Sequence, residues 1–503
     1  MNEEKKRLDI QNKLDVLKTI DDRRRLGQFA TPPELSNEIV SYGLGLLDES
    51  HIRFLDPSIG TGAFFSALLG QKKSRIIDAA KGYEIDAHYA MPSKELWSKT
   101  ILEIEVADFT TAEPEAKYNF VICNPPYVRH HLMEEKERIN KRTEQCSGLR
   151  LSGLAGLYCH FLLQSIIWME PGGIAGWLIP SEFMDVNYGK QVKEFLLNRV
   201  ELIQIHRYDP SDVQFGDALV SSAVVWFKNN YPKEGSKVKF TFGSNLCNPN
   251  IEKSVSYEDL KNETKWTRFP QKNVRLPNDT SSVLGDYFSV KRGIATGNNG
   301  FFILNKDKVE ELNLPHDVLR PVLPNSRYLT SDEIIADNNG RPILDHELFL
   351  IDCKLPEYEV ERKYPSLWNY LLTGRDTVAS GYLCKTRKCW YFQEQREAPI
   401  LICTYMGREH GGQKPSFKFI LNHSSATVTN CYLALYPKGV MKEFVTKNPK
   451  RINEIWEIMN RIEVQSFYDE GRVYGGGLRK VEPAELMNVP VPEIEKYLCE
   501  KVS

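Results

Sequence analysis

The sequence of 503 residues lacks the features that mark membrane-bound, secreted and metal-binding chains. It contains no run of eighteen apolar residues, which predicts that no helix spans a membrane. The first residues, Met1 to Arg7, lack the apolar core of a signal peptide. The ten cysteines include no Cys-x-x-Cys pair, so neither a zinc knuckle nor a disulfide framework is predicted. We therefore expect a cytoplasmic protein with reduced thiols and no bound metal.

An excess of positive charge is also missing. The 65 basic and 67 acidic residues give a net charge of −2, so the chain has no global signature of nucleic-acid binding. Any basic surface must therefore be a local patch. The length is sufficient for two or three domains with hydrophobic cores of their own.

The most informative segment that is present is Asn124-Pro125-Pro126-Tyr127, which directly follows the apolar run at 120–123. In open α/β sheets, ligands bind just outside the carboxyl ends of the strands. The side-chain carbonyl of Asn124 and the backbone carbonyl of Pro125 can both accept hydrogen bonds from one planar NH2 group. The prolines stiffen the backbone, and Tyr127 offers a face for a flat ring. The pattern favours a site for an amino group on an aromatic or amide system; the alternative is a rigid turn.

A glycine turn stands upstream, after the predicted strand 52–55. The sequence Asp56-Pro57-Ser-Ile-Gly60-Thr-Gly62 is typical of a strand–turn–helix unit in which the backbone approaches a ligand closely. No Gly-Lys-Ser/Thr follows, which argues against a triphosphate site. Alone, the turn is weak evidence.

Acidic residues end the next two units. Glu84 lies roughly 20 residues past the glycines, where a carboxylate would bind a pair of ribose hydroxyls. Asp108 and Phe109 would hydrogen-bond and stack on an adenine ring. Each acidic residue alone is more often a helix cap. Together, at successive strand ends, they predict a cleft shaped for a nucleoside.

In the order of these motifs the chain resembles the S-adenosylmethionine-dependent N6-adenine DNA methyltransferases, more closely the single-chain enzymes of type II restriction–modification systems (TaqI-like and PstI-like group). Two further segments match. Residues 26–33, with Thr31, are similar to the segment that closes over the methionine end of the cofactor. Residues 214–217, followed by 221–227, are similar to the late hairpin whose aromatic residue, here Phe215, packs on the target base. The similarity covers residues 20 to about 245.

The resemblance implies a Rossmann-like mixed seven-stranded methyltransferase sheet with helices on both faces, followed by a mixed α+β target-recognition domain. It implies a base turned out of the duplex, with its N6 hydrogens held by Asn124 and the Pro125 carbonyl. Tyr127 and Phe215 would stack on the base, and Phe161 would cover the cofactor adenine; for Phe215 and Phe161 core packing is the alternative. The implied catalytic residues are Asn124, Pro125, Pro126, Tyr127 and Phe215. The implied cofactor-binding residues are Thr31, Asp56, Pro57, Gly60, Gly62, Glu84, Asp108, Phe109 and Phe161.

The implied partner is double-stranded DNA. The resemblance suggests a palindromic site with one adenine per strand, CTGCAG being the guess, and a monomer would suffice to methylate it one strand at a time. The C-terminal half shows no convincing Asp…Glu-x-Lys cluster of a nuclease, so a separate restriction endonuclease is the expected neighbour. Adjacent His130 and His131 lack a third metal ligand at sensible spacing, so no metal is expected there.

The domain prediction has four parts. Residues 1–25 are predicted to form a charged helix with Leu8, Ile10, Leu14, Leu17 and Ile20 as its apolar positions. Residues 26–245 form the catalytic domain. Residues 246–285 are polar, with scattered prolines, and are predicted to be a linker. Residues 286–503 form the DNA target-recognition domain.

Candidate DNA contacts are basic residues near aromatic ones, whose side chains suit phosphates and guanine edges. They are Arg129, Lys291, Arg292, Arg387, Lys388 and Trp390.

Two other functions stay open. One is methylation of another amino or amide group through the same tetrapeptide, on RNA guanine N2 or on protein glutamine. The C-terminal part of more than 200 residues argues against a small glutamine methyltransferase. The other is a DNA-binding subunit without activity. The intact tetrapeptide, Asp56 and Glu84 argue against that.

Overall fold

A computed structural model describes residues 3–209, 221–270, 282–407, 417–474 and 478–502. The chain divides into two compact units, a first unit of Met1–Leu276 with Tyr474–Gly476 and a second unit of Pro277–Val473 with Gly477–Ser503. Within the described residues, none of the helices combines the length and the apolar character needed to cross a membrane.

The first unit is built around one sheet. Its α-helices are α1 Glu3–Val16, α2 Ile20–Arg25, α3 Pro33–Leu46, α4 Ala63–Gln71, α5 Ala87–Trp97, α6 Lys136–Ser147, α7 Leu157–Gln164, α8 Lys190–Asn198 and α9 Tyr257–Asn262. Its strands are β1 His51–Asp56, β2 Ile76–Tyr83, β3 Leu102–Glu105, β4 Tyr118–Cys123, β5 Met169–Pro180, β6 Glu201–Arg207, β7 Ser222–Lys228, β8 Lys237–Ser244 and β9 Pro249–Ser256.

The strand order is β3-β2-β1-β4-β5-β7-β6-β8-β9. Strands β1 to β5 are parallel to their neighbours in this group, and β7 is antiparallel to both β5 and β6. All residues of β4 are buried: Phe120 and Ile122 pack in one core, Val121 and Cys123 in another. Because successive side chains of a strand point to opposite faces, both faces of the sheet are covered, as a continuous apolar strand requires. The prediction of a mixed sheet with helices on both faces is therefore confirmed.

The first seven strands in this order, β3-β2-β1-β4-β5-β7-β6, make the predicted seven-stranded sheet, and two further strands extend it to nine. The hairpin β8–β9 adds to the edge at β6. The predicted linker at 246–285 is wrong for its residues 246–270. β9 pairs along its length with β8, and Leu260, Trp266 and Phe269 are buried in the core. The polar composition is typical of a linker, but an edge strand needs few buried side chains, and in β9 only Val255 is buried.

The N-terminal segment forms two helices, not the single predicted one. The chain breaks between α1 and α2, and the hydroxyl of Thr19 caps α2 by accepting from the Asp22 N–H at 3.1 Å. The buried residues of α1 are Arg7, Gln11 and Leu14. The predicted apolar positions Leu17 and Ile20 are 75% and 50% exposed, so of those positions only Leu14 is buried.

The second unit is mixed, as predicted. Its α-helices are α10 Leu284–Tyr287, α11 Asn299–Phe302, α12 Lys306–Glu311, α13 Glu357–Lys363, α14 Pro365–Thr373, α15 Tyr382–Lys385, α16 Gly439–Lys447, α17 Ile452–Asn460, α18 Val464–Glu470, α19 Pro483–Met487 and α20 Pro492–Val502. Its strands are β10 Phe288–Arg292, β11 Ile303–Asn305, β12 Leu319–Val322, β13 Glu333–Ile334, β14 Leu348–Ile351, β15 Leu401–Thr404, β16 Met406–Gly407, β17 Phe419–Asn422, β18 Tyr432–Pro437, β19 Arg472–Tyr474 and β20 Leu478–Lys480. They form the sheets β10-β18-β15-β17-β13, β11-β14-β12 and β16-β20-β19.

Candidate active site

A cavity of about 650 Å³ lies at the carboxyl ends of the parallel strands β1 to β4 in the first unit. The predicted site residues that line it are Thr31, Asp56, Pro57, Gly60, Glu84, Asp108, Phe109, Asn124, Pro126 and Phe161. Gly62, Pro125 and Tyr127 are not among its lining residues. Phe215 lies outside the described residues. Motifs that are far apart in the sequence thus lie side by side along one wall of the cavity, because parallel strands end at the same edge of the sheet.

The side chain of Asn124 is oriented by its own hydrogen bonds. Its Nδ2 donates to the Phe29 carbonyl at 3.0 Å and to Thr31 Oγ1 at 3.1 Å. A carbonyl can only accept, so the amide nitrogen must face it and Oδ1 must point away. This Oδ1 is buried and has no hydrogen-bond partner among the described residues. A buried acceptor without a donor costs about 1–3 kcal/mol, which marks it as a place for an incoming N–H group.

Tyr127 is attached to the sheet next to Asn124. Its hydroxyl donates to the Leu178 carbonyl at 3.0 Å, and its ring lies 5.7 Å from that of Phe29. The ring packs against the cores on both faces of the sheet. These contacts fix the backbone that carries Asn124, and the predicted stacking on a base stays a prediction.

The segment that precedes α3 lies directly on the tetrapeptide. The Gly27 carbonyl accepts from the Tyr127 N–H at 3.2 Å. Gly27 has φ +66°, and a Cβ there would come within 2.4 Å of the Tyr127 nitrogen, so only glycine fits. Residues 26–31 line the cavity, and they belong to the segment 26–33 that was singled out from the sequence.

The glycine turn also has a left-handed backbone. Gly60 has φ +53°, lines the cavity, and has no protein atom within 4 Å of the position of a Cβ. Gly62 has φ +87° at the start of α4, and a Cβ would lie 2.6 Å from Nε1 of Trp97. Gly60 therefore leaves room beside the cavity, whereas Gly62 serves the packing of the helix.

Two carboxyl groups of the wall have raised pKa values. Burial, with the nearby Glu84 carboxylate as a further cause, raises the pKa of Asp56 to about 8. Burial also raises the pKa of Glu84 to about 7, although the Asp86 and Gly60 N–H groups favour its ionised form from 2.9 and 3.1 Å. Carboxyl groups held in this range respond to a cationic or hydrogen-bond-donating ligand.

The far end of the cavity is aromatic. Phe109 is 2% exposed, and its ring lies 5.2 Å from that of Phe161. Asp108 accepts from the Thr110 N–H at 2.9 Å and from its hydroxyl at 2.8 Å, so it also caps the local turn. Asp108 thus supports the local turn and also lines the cavity, and its contact with an adenine ring stays a prediction.

Helix α1 contributes residues that the sequence analysis missed. Arg7, Gln11 and Asp15 line the cavity. They are not among the apolar positions from which the buried face of this helix was predicted. Their polar character and spacing of four residues place them on one side of the helix, which is the only signal that would have found them.

The predicted DNA contacts differ in their surroundings. Arg129 in the first unit and Lys291 and Lys388 in the second are exposed. Arg292 lies 3.0 Å from the Glu482 carboxylate. Arg387 donates to the Ala295 carbonyl at 2.9 Å, so part of its role is structural.

Trp390 and the histidine pair also have structural surroundings. Trp390 is half-buried and packs against the rings of Phe301 and Phe302. Beside the tetrapeptide, the rings of His130 and His131 lie 5.3 Å apart. No cluster of three potential metal ligands occurs in the part of the chain that the structure describes.

The strand order of the first unit, with one antiparallel strand inserted before the last of the seven, defines an α/β methyltransferase fold. One solved structure that is similar to this fold is that of the type IIL restriction–modification enzyme MmeI in complex with DNA. The TM-score is 0.51 at 12% identity, covering 82% of this chain and 60% of that one.

Sequence comparison shows which methyltransferases the chain resembles. Residues 67–214 match the family model of the Eco57I restriction–modification methylase, and residues 271–503 match that of the C-terminal domain of the type II methyltransferase M.Eco57I. The chain is 27% identical over 488 residues to the type II methyltransferase M.AccI of Acinetobacter calcoaceticus, covering 93% of this chain and 85% of that relative. It is 26% identical over 494 residues to M.XamI of Xanthomonas campestris pv. amaranthicola, covering 94% and 86%. Over most of its length the chain is therefore similar to type II restriction–modification methyltransferases, and two parts of it match Eco57I family models.

Proposed function

We propose that the protein is a site-specific DNA methyltransferase that transfers the methyl group of S-adenosylmethionine to N6 of an adenine turned out of double-stranded DNA. The observation that carries the proposal is the buried, unpaired Oδ1 of Asn124 at the cavity wall. An exocyclic NH2 group supplies the donor that this oxygen lacks.

The residues of this chain would act by position. The Asn124 oxygen and the Pro125 carbonyl would each accept one hydrogen of the amino group. That holds the nitrogen lone pair out of conjugation with the ring and aims it into the cavity. No strong base is needed first, because the proton can leave after the transfer. Most of the rate would come from alignment and fixed dipoles.

The cavity fits the cofactor. Its volume of about 650 Å³ is in the range of small-molecule sites. Glu84 would hold the ribose hydroxyls, Asp108, Phe109 and Phe161 would surround the adenine, and Gly60 leaves space for close approach. S-adenosylmethionine would supply a methyl group already activated on a sulfonium ion.

The remaining parts of the proposal concern partners. We infer that the second unit reads the DNA sequence, supported by its match to the C-terminal domain of M.Eco57I. We also propose that the protein acts as a monomer and that a separate restriction endonuclease cleaves sites that it leaves unmethylated.

The experiment that tests the function is transfer of a tritiated methyl group to a plasmid library, followed by digestion to nucleosides and mass spectrometry. The expected product is N6-methyladenine at one sequence, located by modification-sensitive sequencing. N4-methylcytosine as the product would refute the adenine assignment. Parallel reactions with RNA and with a glutamine-containing protein are expected to remain unlabelled.

Glu84→Ala is expected to weaken cofactor binding by roughly 1.5–3 kcal/mol for each charged hydrogen bond lost. Isothermal titration calorimetry measures it. Glu103→Gln, an exposed carboxylate on β3 that does not line the cavity, is the matched control. If Glu84→Ala left the affinity unchanged, the role of Glu84 would be to stabilise the Gly60 turn and not to bind the cofactor.

The affinity for S-adenosylmethionine is expected to rise with pH. The raised pKa of Glu84, about 7, leaves the group largely protonated at pH 6, and a cationic ligand favours the ionised form. One such group predicts a gain of about tenfold between pH 6 and pH 8, with proton release on binding. The stability of the unliganded protein, in contrast, should fall as the pH rises. A carboxyl whose folded-state pKa is raised contributes stability at low pH, and this contribution is lost as the pH rises through about 7.

Calorimetry at pH 7 in two buffers of different ionisation enthalpy measures the released protons. Glu84→Gln is expected to flatten the pH profile. A flat profile in the unmodified protein would show that the carboxyl groups are not coupled to the ligand.

A further inference from the structure

Helix α1 buries a cation beside the cavity. Arg7 is 1% exposed and lines the cavity, whereas Lys6, next to it in the chain, is exposed. Burial of a guanidinium is unfavourable unless its charge and its N–H groups are matched. An apolar residue would fill this position of an amphipathic helix at lower cost. The buried arginine therefore needs hydrogen-bond acceptors for its N–H groups.

Three of the five N–H groups of Arg7 have acceptors. Nε donates to Glu4 Oε2 at 2.9 Å, Nη2 to Glu4 Oε1 at 2.6 Å, and Nη1 to Thr61 Oγ1 at 3.0 Å. One N–H on each Nη is left without an acceptor among the described residues. N–H groups on Nη1 and Nη2 can together donate to the two oxygens of a carboxylate as a fork.

The position of Arg7 is fixed from the glycine turn. Thr61 stands between Gly60 and Gly62, and its hydroxyl accepts from Arg7 and donates to Gln11 Oε1 at 2.7 Å. Gln11 Nε2 in turn donates to Asp15 Oδ1 at 2.9 Å. The guanidinium is thus oriented by both the helix and the turn, as a binding group must be.

The chemistry of the ligand identifies what Arg7 would meet. Glu84, Asp108, Phe109 and Phe161 suit hydroxyls and an adenine ring, which carry no negative charge. The only anionic group of S-adenosylmethionine is the α-carboxylate of its methionine part.

We propose that Arg7 binds this carboxylate, with Thr61 and Gln11 as positioning residues, so that α1 is part of the cofactor site. The inference rests on the proposed function, since it takes S-adenosylmethionine as the ligand. It extends the site to a helix that none of the sequence motifs includes.

The test compares three ligands by calorimetry on the full-length protein: S-adenosylmethionine, S-adenosylhomocysteine and 5′-methylthioadenosine. The third keeps the adenosine and the sulfur but has no carboxylate. Arg7→Gln is expected to weaken binding of the first two ligands by at least about tenfold and binding of the third by less than about twofold. The loss of a charge-assisted hydrogen-bonded pair predicts this difference. Equal weakening of all three ligands, or of none, would overturn the proposal.

Two variants separate binding from support of the helix. Lys6→Gln removes the same charge from the exposed side of α1 and should leave all three affinities unchanged. Glu4→Gln breaks the ion pair but keeps the guanidinium, so S-adenosylhomocysteine should bind within about threefold of its normal affinity. If Glu4→Gln weakened that ligand as much as Arg7→Gln does, Arg7 would only anchor the helix.

The outcomes also distinguish this inference from the proposed function. A wild-type protein that binds none of the three ligands would refute the proposed function. A wild-type protein that binds all three, combined with an Arg7→Gln variant that does not discriminate between them, would refute the role of Arg7 alone. Should Arg7→Gln fail to fold, Arg7→Lys makes the same comparison, because it keeps the charge but loses the fork.

Discussion

Asn124→Ala is expected to lower the rate of methyl transfer by about two to three orders of magnitude, the loss typical of removing one fixed dipole from an active site. Affinity for S-adenosylmethionine should stay within about threefold, because the role proposed for the Asn124 oxygen is to hold the amino group to be methylated and not the cofactor. Single-turnover labelling of DNA measures the first quantity and calorimetry the second.

The substitution also removes the two hydrogen bonds of Nδ2, so a matched control is needed. Thr31→Val deletes one of those acceptors, at 3.1 Å, and leaves the Asn124 oxygen in place. It should cost far less activity than Asn124→Ala. An Asn124→Ala enzyme that kept more than about a tenth of the normal rate, a loss under ~1.4 kcal/mol in the barrier, would refute the proposed role.

The wall of the cavity could be predicted from the sequence because its determinants are local. Asp56 ends β1, Glu84 and Asn124 directly follow β2 and β4, and Asp108 lies three residues after β3, so the parallel arrangement brings all four together. What could not be predicted is which atoms stay unpaired. That Asn124 Oδ1 has no partner depends on Phe29, 95 residues away in the chain, taking the other side of the amide.

The wrong predictions for the N-terminal helix and for the linker have a common physical origin. The rules for helices and linkers assume that buried means apolar and that polar means exposed. Helix α1 violates the first assumption, because Arg7 and Gln11 are buried against the hydroxyl of Thr61. Strand β9 violates the second, because an edge strand is held by its backbone hydrogen bonds to β8 and needs few apolar side chains.

Contacts to DNA are harder still to predict from composition. Arg387 and Trp390 looked equivalent to Lys388 in the sequence, yet Arg387 bonds to the Ala295 carbonyl and Trp390 packs on Phe301 and Phe302. Arginine and tryptophan suit both structural and DNA-binding roles, and only the fold separates them. Exposed Lys291 and Lys388 therefore remain the better candidates for phosphate contacts.

Removal of the second unit is expected to abolish sequence selection while leaving cofactor binding. A fragment of residues 1–270 contains the whole cavity and both cores of the large sheet. It should therefore bind S-adenosylhomocysteine with an affinity close to that of the full chain. Without the second unit, its preference for one DNA sequence should fall by at least about a thousandfold, the lower end of the usual gap between specific and non-specific binding.

The measurement is methylation of a randomised DNA library, followed by sequencing of the modified positions at 50 and 200 mM salt. In the full-length protein, Lys291→Glu with Lys388→Glu provides the second arm, since it removes positive charge without removing the unit. This variant should bind DNA more weakly and with a smaller salt dependence, yet modify the same sequence. A soluble fragment of residues 1–270 that still methylated one specific sequence would place recognition in the first unit. In that case the exposed Arg129, directly beyond the tetrapeptide, would become the first residue to test.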